Sequence, residues 1–317
     1  MGKYTIGIDV GGTKTTCGIL DEKKNIVKTL HQQSDPELSP EMFFDNIAAS
    51  IYGLCKGQNI SLDDLHGIGV GMPSFIRFKD GMIIKTVNLS KIRNFPARDY
   101  LMGKLNRNVK VVLDNDSHTG ALAEFRHGAG KGFQHMLYCP VSTGISSGII
   151  IDGELFRGAY GWSGESGHMI VTPGRGIECG CGNKGCLMSW CSGSMISKHI
   201  QNWILDGQET IMKNMIDDPK KITAMHIGEA FNQNDAMAIR AVEQMVKHMA
   251  VWVYNLYVTL NINCFVFGGG LLYMNINLLE RVRKEFDNYN RNDMPVYFKT
   301  AELGENYGII GAAELLF

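Results

Sequence analysis

His168, Cys179, Cys181 and Cys186 stand in the spacing H-x10-C-x-C-x4-C. Three thiolates and one imidazole make a complete tetrahedral donor set for Zn2+. No position is left for water, so a metal held there is structural. Gly180, Gly182 and Gly185 permit the tight turns that bring four ligands to one ion. Buried free cysteines are the plainer reading. Three cysteines within eight residues of a glycine-rich, non-periodic stretch favour the metal. Cys191 is surplus, and Cys17, Cys55, Cys139 and Cys264 sit in apolar patterns that suit core residues.

A second chemistry is suggested by Asp9-Val10-Gly11-Gly12-Thr13-Lys14-Thr15. It narrowly misses a P-loop: counted from Gly7, the lysine falls at position 13, where Thr13 stands. The sequence that follows is β-like, so a helix dipole is not the expected phosphate anchor. Two glycines in a hairpin turn can instead aim successive N–H groups at one anion, with the Thr13 hydroxyl as a further donor. Asp9, at the strand end, suits Mg2+ held through water. An ordinary hairpin turn fits the same residues. Two further glycine turns follow strand-like runs, at Ser142-Thr143-Gly144 and Gly268-Gly269-Gly270. Together the three fit a nucleotide held between two halves of the chain.

Acid–base candidates are fewer. Asp114-Asn115-Asp116 follows a strand-like run and precedes a helical one, where ligands gather in α/β sheets. Capping of that helix by Asp116 or Ser117 is the competing explanation, and a general base there is compatible with it. Glu165 lies three residues before His168, so a rigid metal loop would hold it where it can accept bonds from a polyol. An exposed loop glutamate is the alternative. His118, His127 and His135 show no partner pattern and read as surface or structural residues.

The elements that must carry these residues follow from apolar periodicity. Residues 4–9, 14–20 and 26–30 read as a meander of strands, and 40–56 as an amphipathic helix. Strands are expected at 66–72 and 109–113, with a helix at 117–125. The theme then repeats, with strands at 136–141 and 147–151. Residues 192–256 are mostly helical. A buried strand at 264–267, a strand at 296–300 and a helix at 308–316 close the chain. The order is that of a mixed α/β protein of two related halves. The expected division is 1–115 plus about 300–317 as a small domain, and 116–299 as a large one carrying the cysteine loop.

Composition limits the partners. The chain has 317 residues, 44% hydrophobic and 20% charged, with 31 basic and 32 acidic residues and a net charge of −1. Near-neutrality gives no general affinity for nucleic acid or anionic membrane. No signal-peptide core and no run of 18 apolar residues is found, which makes the cytoplasm the expected location, with thiols reduced. Glycine is the outlier: 37 residues, 13 of them from Gly144 to Gly193.

These residues resemble the ROK family of sugar kinases and related repressors. The resemblance rests on Ile8–Lys14, Asn115-Asp116, Gly164-Glu165-Ser166-Gly167-His168 and Cys179–Cys186. It rests also on Phe267–Gly270 and on the glycine pattern from Leu303 to Ala313. The combination of Gly-Glu-x-Gly-His with the Cys-x-Cys loop is its most specific part. Gly71–Leu89 and Cys191-Ser192-Gly193 are similar to allose kinases of that family.

The resemblance implies a two-domain actin-like ATPase (ribonuclease H-like) fold with an interdomain cleft. It implies an ATP:hexose phosphotransferase acting at the sugar 6-hydroxyl. ATP phosphates then sit at the turn of Gly11, Gly12 and Thr13 and at Thr143 and Gly144, with Asp9 and Lys14 in the same cofactor site and adenosine near Gly269 and Gly270. Asp116 is the implied base; Asn115, Glu165 and His168 line the sugar; His168, Cys179, Cys181 and Cys186 bind zinc. A homodimer or homotetramer is implied, with no nucleic-acid partner. A sugar-responsive repressor is the first alternative, opposed by a first strand starting near residue 4 with no helix-turn-helix ahead of it. A non-catalytic sugar sensor is the second. The chain departs from the family at Met188, where a glutamate is usual, and at Ile145-Ser146-Ser147, where the usual turn is glycine-rich.

Overall fold

The computed structural model describes residues 3–105 and 108–317. The chain divides into two compact units. One is Met1–Gln134 with Gly148–Gly164 and Ala301–Phe317, and the other is His135–Ser147 with Glu165–Thr300.

The first unit is built on a five-stranded sheet in the order Ile26–Gln33, Lys14–Leu20, Tyr4–Val10, Leu65–Met72, Val111–Asn115. The first three strands form the expected antiparallel meander, and the last two join in parallel. Ile6, Ile8, Val10, Cys17 and Ile19 pack with Phe44, Ile47 and Ile51 of the helix Pro40–Gly57, all at most 2% exposed. Pro at the helix start and the Ser39 hydroxyl, which accepts from the Met42 N–H, fix where that helix begins.

The C-terminal helix Tyr307–Glu314 also lies on this sheet, so closely that no side chain fits between. A Cβ on Gly7 would stand 1.8 Å from the Ile309 carbonyl oxygen, and one on Gly69 1.7 Å from that of Ala312. The helix Asp116–His127 joins the same layer, with the Thr119 carbonyl against Gly311. That packing groups residues 116–127 with the first unit, on the other side of the expected division at 115. The hairpin Gly148–Ile151 with Glu154–Leu155 comes with it, because Gly148 sits directly on the Ser117 carbonyl. Between the two parallel strands the chain adds a small antiparallel sheet of Ser74–Arg77, Met82–Thr86 and Arg93–Phe95. Its alternation is too short to stand out in the sequence.

Glu314 closes the C-terminal helix with a buried carboxylate, 4% exposed, facing Arg126 at 2.5 Å, His127 at 3.0 Å and Lys24 at 3.6 Å. Burial pushes its carboxyl up, but the Arg126 and His127 bonds and the Lys24 charge outweigh that and leave it below the usual range. A carboxyl lowered by folding stabilises the fold fully above its ordinary pKa, and the gain disappears as pH falls through the folded value. Glu314→Gln is therefore expected to cost roughly 2 kcal/mol at pH 7. The difference from wild type should shrink in urea melts at pH 4; an equal difference at both pH values contradicts it.

The second unit holds three parallel strands in the order Met136–Pro140, Cys264–Gly268, Tyr297–Thr300. Its core is aromatic: Phe267 stacks on Phe298 at 5.8 Å and meets the fully buried Trp252 edge-on. Trp252 belongs to the 25-residue helix Ala236–Leu260, opened by Asp235, whose carboxylate accepts from the Ala238 N–H, and closed by left-handed Asn261. The helical region before it resolves into Gly193–Leu205 and Ala224–Asn232 with short 3-10 turns between. No helix among the described residues is long and apolar enough to cross a membrane.

Candidate active site

In the first unit the strand register sets Asp9 beside Gly71, and Gly71 beside Asp114. Asp116 follows two residues on, in the first turn of its helix. Capping falls to neither Asp116 nor Ser117. Asn115 is the N-cap: its Oδ1 accepts from the Ser117 N–H at 2.8 Å, and its Nδ2 donates to the Ser74 carbonyl at 3.2 Å. The Ser117 N–H also reaches Asp116 Oδ1 at 2.9 Å. Burial pushes the Asp116 carboxyl above the usual range, while the Ser117 N–H and the His118 charge pull part of it back. A half-buried carboxyl with a raised pKa is suited to accepting a proton near neutrality.

The Gly11–Lys14 segment is a hairpin turn, as its sequence suggests. The Gly11 N–H donates to the Lys14 carbonyl at 2.8 Å, and the Ser34 N–H reaches the Thr13 carbonyl at 2.9 Å. A Cβ on Gly12 would lie 2.8 Å from Asn88 Nδ2, so the turn rests against that side chain. Asp9 stands below it with no hydrogen bond or ion pair to its carboxylate among the described residues. Burial pushes its carboxyl up to about 6, with the Asp116 charge adding and Lys14 opposing. A half-buried carboxylate with no hydrogen-bond partner, at a phosphate-type turn, fits Mg2+.

The same orphaned state has a stability cost. A carboxyl raised by folding is tolerated at low pH and destabilises as pH climbs to about 6, after which the loss is constant. The cost is up to about 3 kcal/mol. Asp9→Asn is therefore expected to raise Tm by several degrees at pH 8, with little change at pH 4. A lowered Tm at pH 8 contradicts it.

In the second unit three segments converge. The Ser142–Ile145 turn closes by a Ser142 N–H to Gly144 carbonyl bond at 2.9 Å. Gly269, at φ +100°, places its Cα where a Cβ would meet the Val141 carbonyl at 2.4 Å, so only glycine lets this turn approach the first. The helix Gly193–Leu205 begins at the same place: the Gly193 N–H donates to the Ser142 carbonyl at 2.8 Å, and the Ser194 hydroxyl to the Thr143 carbonyl at 3.0 Å. A helix start favours anions, and this one stands beside Thr143 and Gly144. In the sequence only the small residues Ser192-Gly193-Ser194 signal it.

Glu165, Ser166, Gly167 and His168 follow in one 3-10 turn, closed by the His168 N–H on the Glu165 carbonyl at 3.0 Å. Glu165 and His168 are half-buried. Met188 is half-buried beside them: its Cε lies 3.8 Å from where a Gly144 Cβ would be and 3.0 Å from where one on Gly167 would be. The departure from the family pattern therefore touches both the Thr143 turn and the Glu165–His168 turn.

The ligand atoms of His168, Cys179, Cys181 and Cys186 all lie within 4.8 Å of one another. His168 Nδ1 is 3.4 Å from Cys179 Sγ, and the Cys181 and Cys186 sulfurs are 3.6 Å apart. Zn–S bonds of about 2.3 Å in a tetrahedron imply S–S separations just under 4 Å. The cluster fits that ion, and all eight cysteines are free. The four cysteines expected in the core are buried there. Two of the histidines read as surface or structural residues have structural partners. His118 is wholly buried, and His127 is paired with Glu314.

Two α/β units with glycine turns, the first with carboxylates at its strand ends, define a fold of the actin-like ATPase type. The chain belongs to the ROK family, whose model matches residues 5–317. A glucokinase of Halalkalibacterium halodurans is 31% identical over 99% of this chain and 95% of its own. Among solved structures, a ROK hexokinase from Thermus thermophilus aligns with a TM-score of 0.84 at 27% identity, covering 98% of this chain and 97% of that one. A ROK glucokinase from Streptomyces griseus, in complex with glucose and AMPPNP, aligns at 0.80 and 28%, covering 98% of each chain.

Proposed function

We propose that the protein is an ATP-dependent hexose kinase that transfers the ATP γ-phosphate to the 6-hydroxyl of glucose or a related aldohexose. The observation that carries this reading is Asp116, a half-buried carboxyl held above its usual range in the first turn of a helix. Full-length similarity to a glucokinase supports it, and favours it over a repressor or an idle sensor.

The proposed roles follow from the local geometry. Asp116 accepts the proton of the attacking hydroxyl, and the oxygen then displaces ADP from the γ-phosphorus. Asn115 holds the helix start, and Glu165 and His168 accept and donate bonds to the sugar hydroxyls. The turn of Gly11, Gly12 and Thr13, through the Gly12 and Thr13 N–H groups and with Lys14, and the turn at Thr143 and Gly144 meet the phosphates, while Gly269 and Gly270 give the adenosine room. Mg2+ bound near Asp9 would neutralise phosphate charge. Zn2+ on His168, Cys179, Cys181 and Cys186 would brace the sugar-binding turn without entering the chemistry. Met188 offers a weakly accepting thioether where a carboxylate would grip one sugar hydroxyl, which makes it the residue that sets sugar choice. A cytoplasmic location and a homodimeric or homotetrameric assembly are part of the same proposal.

A panel of aldohexoses and N-acetylhexosamines with ATP and Mg2+, read by ADP release, tests the function. Sugar-dependent ADP release with at least one hexose is expected. Sugar binding in calorimetry with no ADP release from any of them supports the sensor instead.

A further inference from the structure

His118 and Asp114 are both 0% exposed, and the chemistry above uses neither. Their contacts leave little choice of charge state. His118 Nδ1 is 2.7 Å from Asp114 Oδ1, and its Nε2 is 3.0 Å from the Ser163 carbonyl oxygen. A carbonyl oxygen can only accept, so Nε2 carries a proton. The Asp114 oxygens already accept from the Asn115 N–H at 2.8 Å and from Arg157 Nε at 2.7 Å, and the charges and bonds of His118 and Arg157 outweigh burial and hold the group below the usual range, as a carboxylate. Nδ1 must then donate as well. A ring with two donors is an imidazolium.

We propose that His118 is a positioning residue for phosphoryl transfer. It is an imidazolium that fastens the 156–164 loop to the Asp116 helix and sets a fixed positive charge two residues from the base. The proposal rests on the kinase reading for the role of Asp116. Three further contacts hold the loop. The Arg157 guanidinium lies over the Phe78 ring at 3.7 Å, the Trp162 ring meets Phe75 edge-on at 5.4 Å, and Gly161 lies close to the Ile76 carbonyl. Asn115 ties the Ser74 carbonyl from the other end of the same helix start. Glu165 is the second residue after Ser163, so the anchor ends at the sugar-directed turn.

The charged groups around Asp116 are His118 on its own helix, Asp114 on the preceding strand, Arg157 on the loop, and Asp9 with Lys14 on the first hairpin. Asp114, His118 and Arg157 sum to one positive charge. A neutral side chain at 118 removes it and leaves Asp9 to oppose ionisation of Asp116. The acid limb of turnover should then move to higher pH, while the ATP phosphates are bound by other elements.

Long-range 1H–15N spectra of the wild-type protein at pH 8 are expected to show both His118 ring nitrogens protonated, with the signal assigned by its loss in His118→Gln. The 13C signal of the Asp116 carboxyl should titrate about one pH unit higher in His118→Gln than in wild type, roughly a tenfold loss of ionised base below the midpoint. The acid limb of kcat/KM should move with it, with KM for ATP unchanged. A neutral His118 ring at pH 8 overturns the proposal. A charged ring with an unmoved Asp116 midpoint overturns it too. If wild type phosphorylates no sugar, the kinase reading fails by itself, while the two NMR readings still decide the charge on His118 and its effect on Asp116.

Discussion

Asp116→Asn is expected to lower kcat by roughly 10²–10⁴-fold, the range that a positioned general base contributes. The change is nearly isosteric: an amide replaces a carboxylate, and its oxygen can still accept the Ser117 N–H that now reaches Asp116 Oδ1 at 2.9 Å. Fold and sugar binding should therefore survive. Because burial raises the Asp116 carboxyl, its ionisation at neutral pH opposes folding, and the amide should melt at the same temperature or higher. The wild-type rate should fall as pH drops through the raised midpoint, and the residual rate of the variant should lose that dependence. ADP release with glucose, calorimetry for sugar binding and thermal melts together check it. Near-normal turnover in the variant would remove Asp116 from the chemistry, whatever the identity of the sugar.

The second large effect is expected from the metal cluster. Purified protein should carry about one zinc per chain, and Cys186→Ser or prolonged chelation should lower Tm by more than about 10 °C. The reason lies in what the cluster holds. Segment 169–187 is irregular, with two isolated bridges, Ile170 to Cys186 and Glu178 to Lys184, as its only ladder contacts among the described residues. It has little apolar burial of its own beyond Cys179, Cys186 and Leu187. A segment so built depends on a cross-link for order. His168 belongs both to the cluster and to the turn that carries Glu165, so metal loss should raise KM for sugar before it alters KM for ATP. Metal analysis showing no zinc in active protein would remove the ion from the proposal.

Several elements could be read from sequence because their signals are local. The meander at the start, the strand at Leu65–Met72 and the long helix Ala236–Leu260 follow from apolar periodicity within a single window. The cysteine loop follows from spacing within 19 residues, close enough for chain geometry to bring the donors together. The helix cap is a finer matter. Asp116, Ser117 and Asn115 all have capping side chains, and only the backbone turn selects Asn115.

Other features needed the folded chain. Residues 148–164 and 301–317 join the first 134 through glycine-to-carbonyl contacts that are distant in sequence, such as Gly148 against Ser117 and, more than 200 residues apart, Gly69 against Ala312. Nothing in either segment alone specifies its partner. His118 carried no pattern, because Asp114 is a local neighbour while Ser163 lies 45 residues away. What the sequence determined by itself was chemistry set by residue type and short spacing: the Cys3His donor set, the phosphate-type turns and the carboxylates at strand ends. What only the tertiary structure decided was charge state. Burial leaves Asp9 without a partner, pushes Asp116 toward holding its proton, and places His118 between two acceptors. A pKa depends on what surrounds a group in space, and that information is spread over the whole chain.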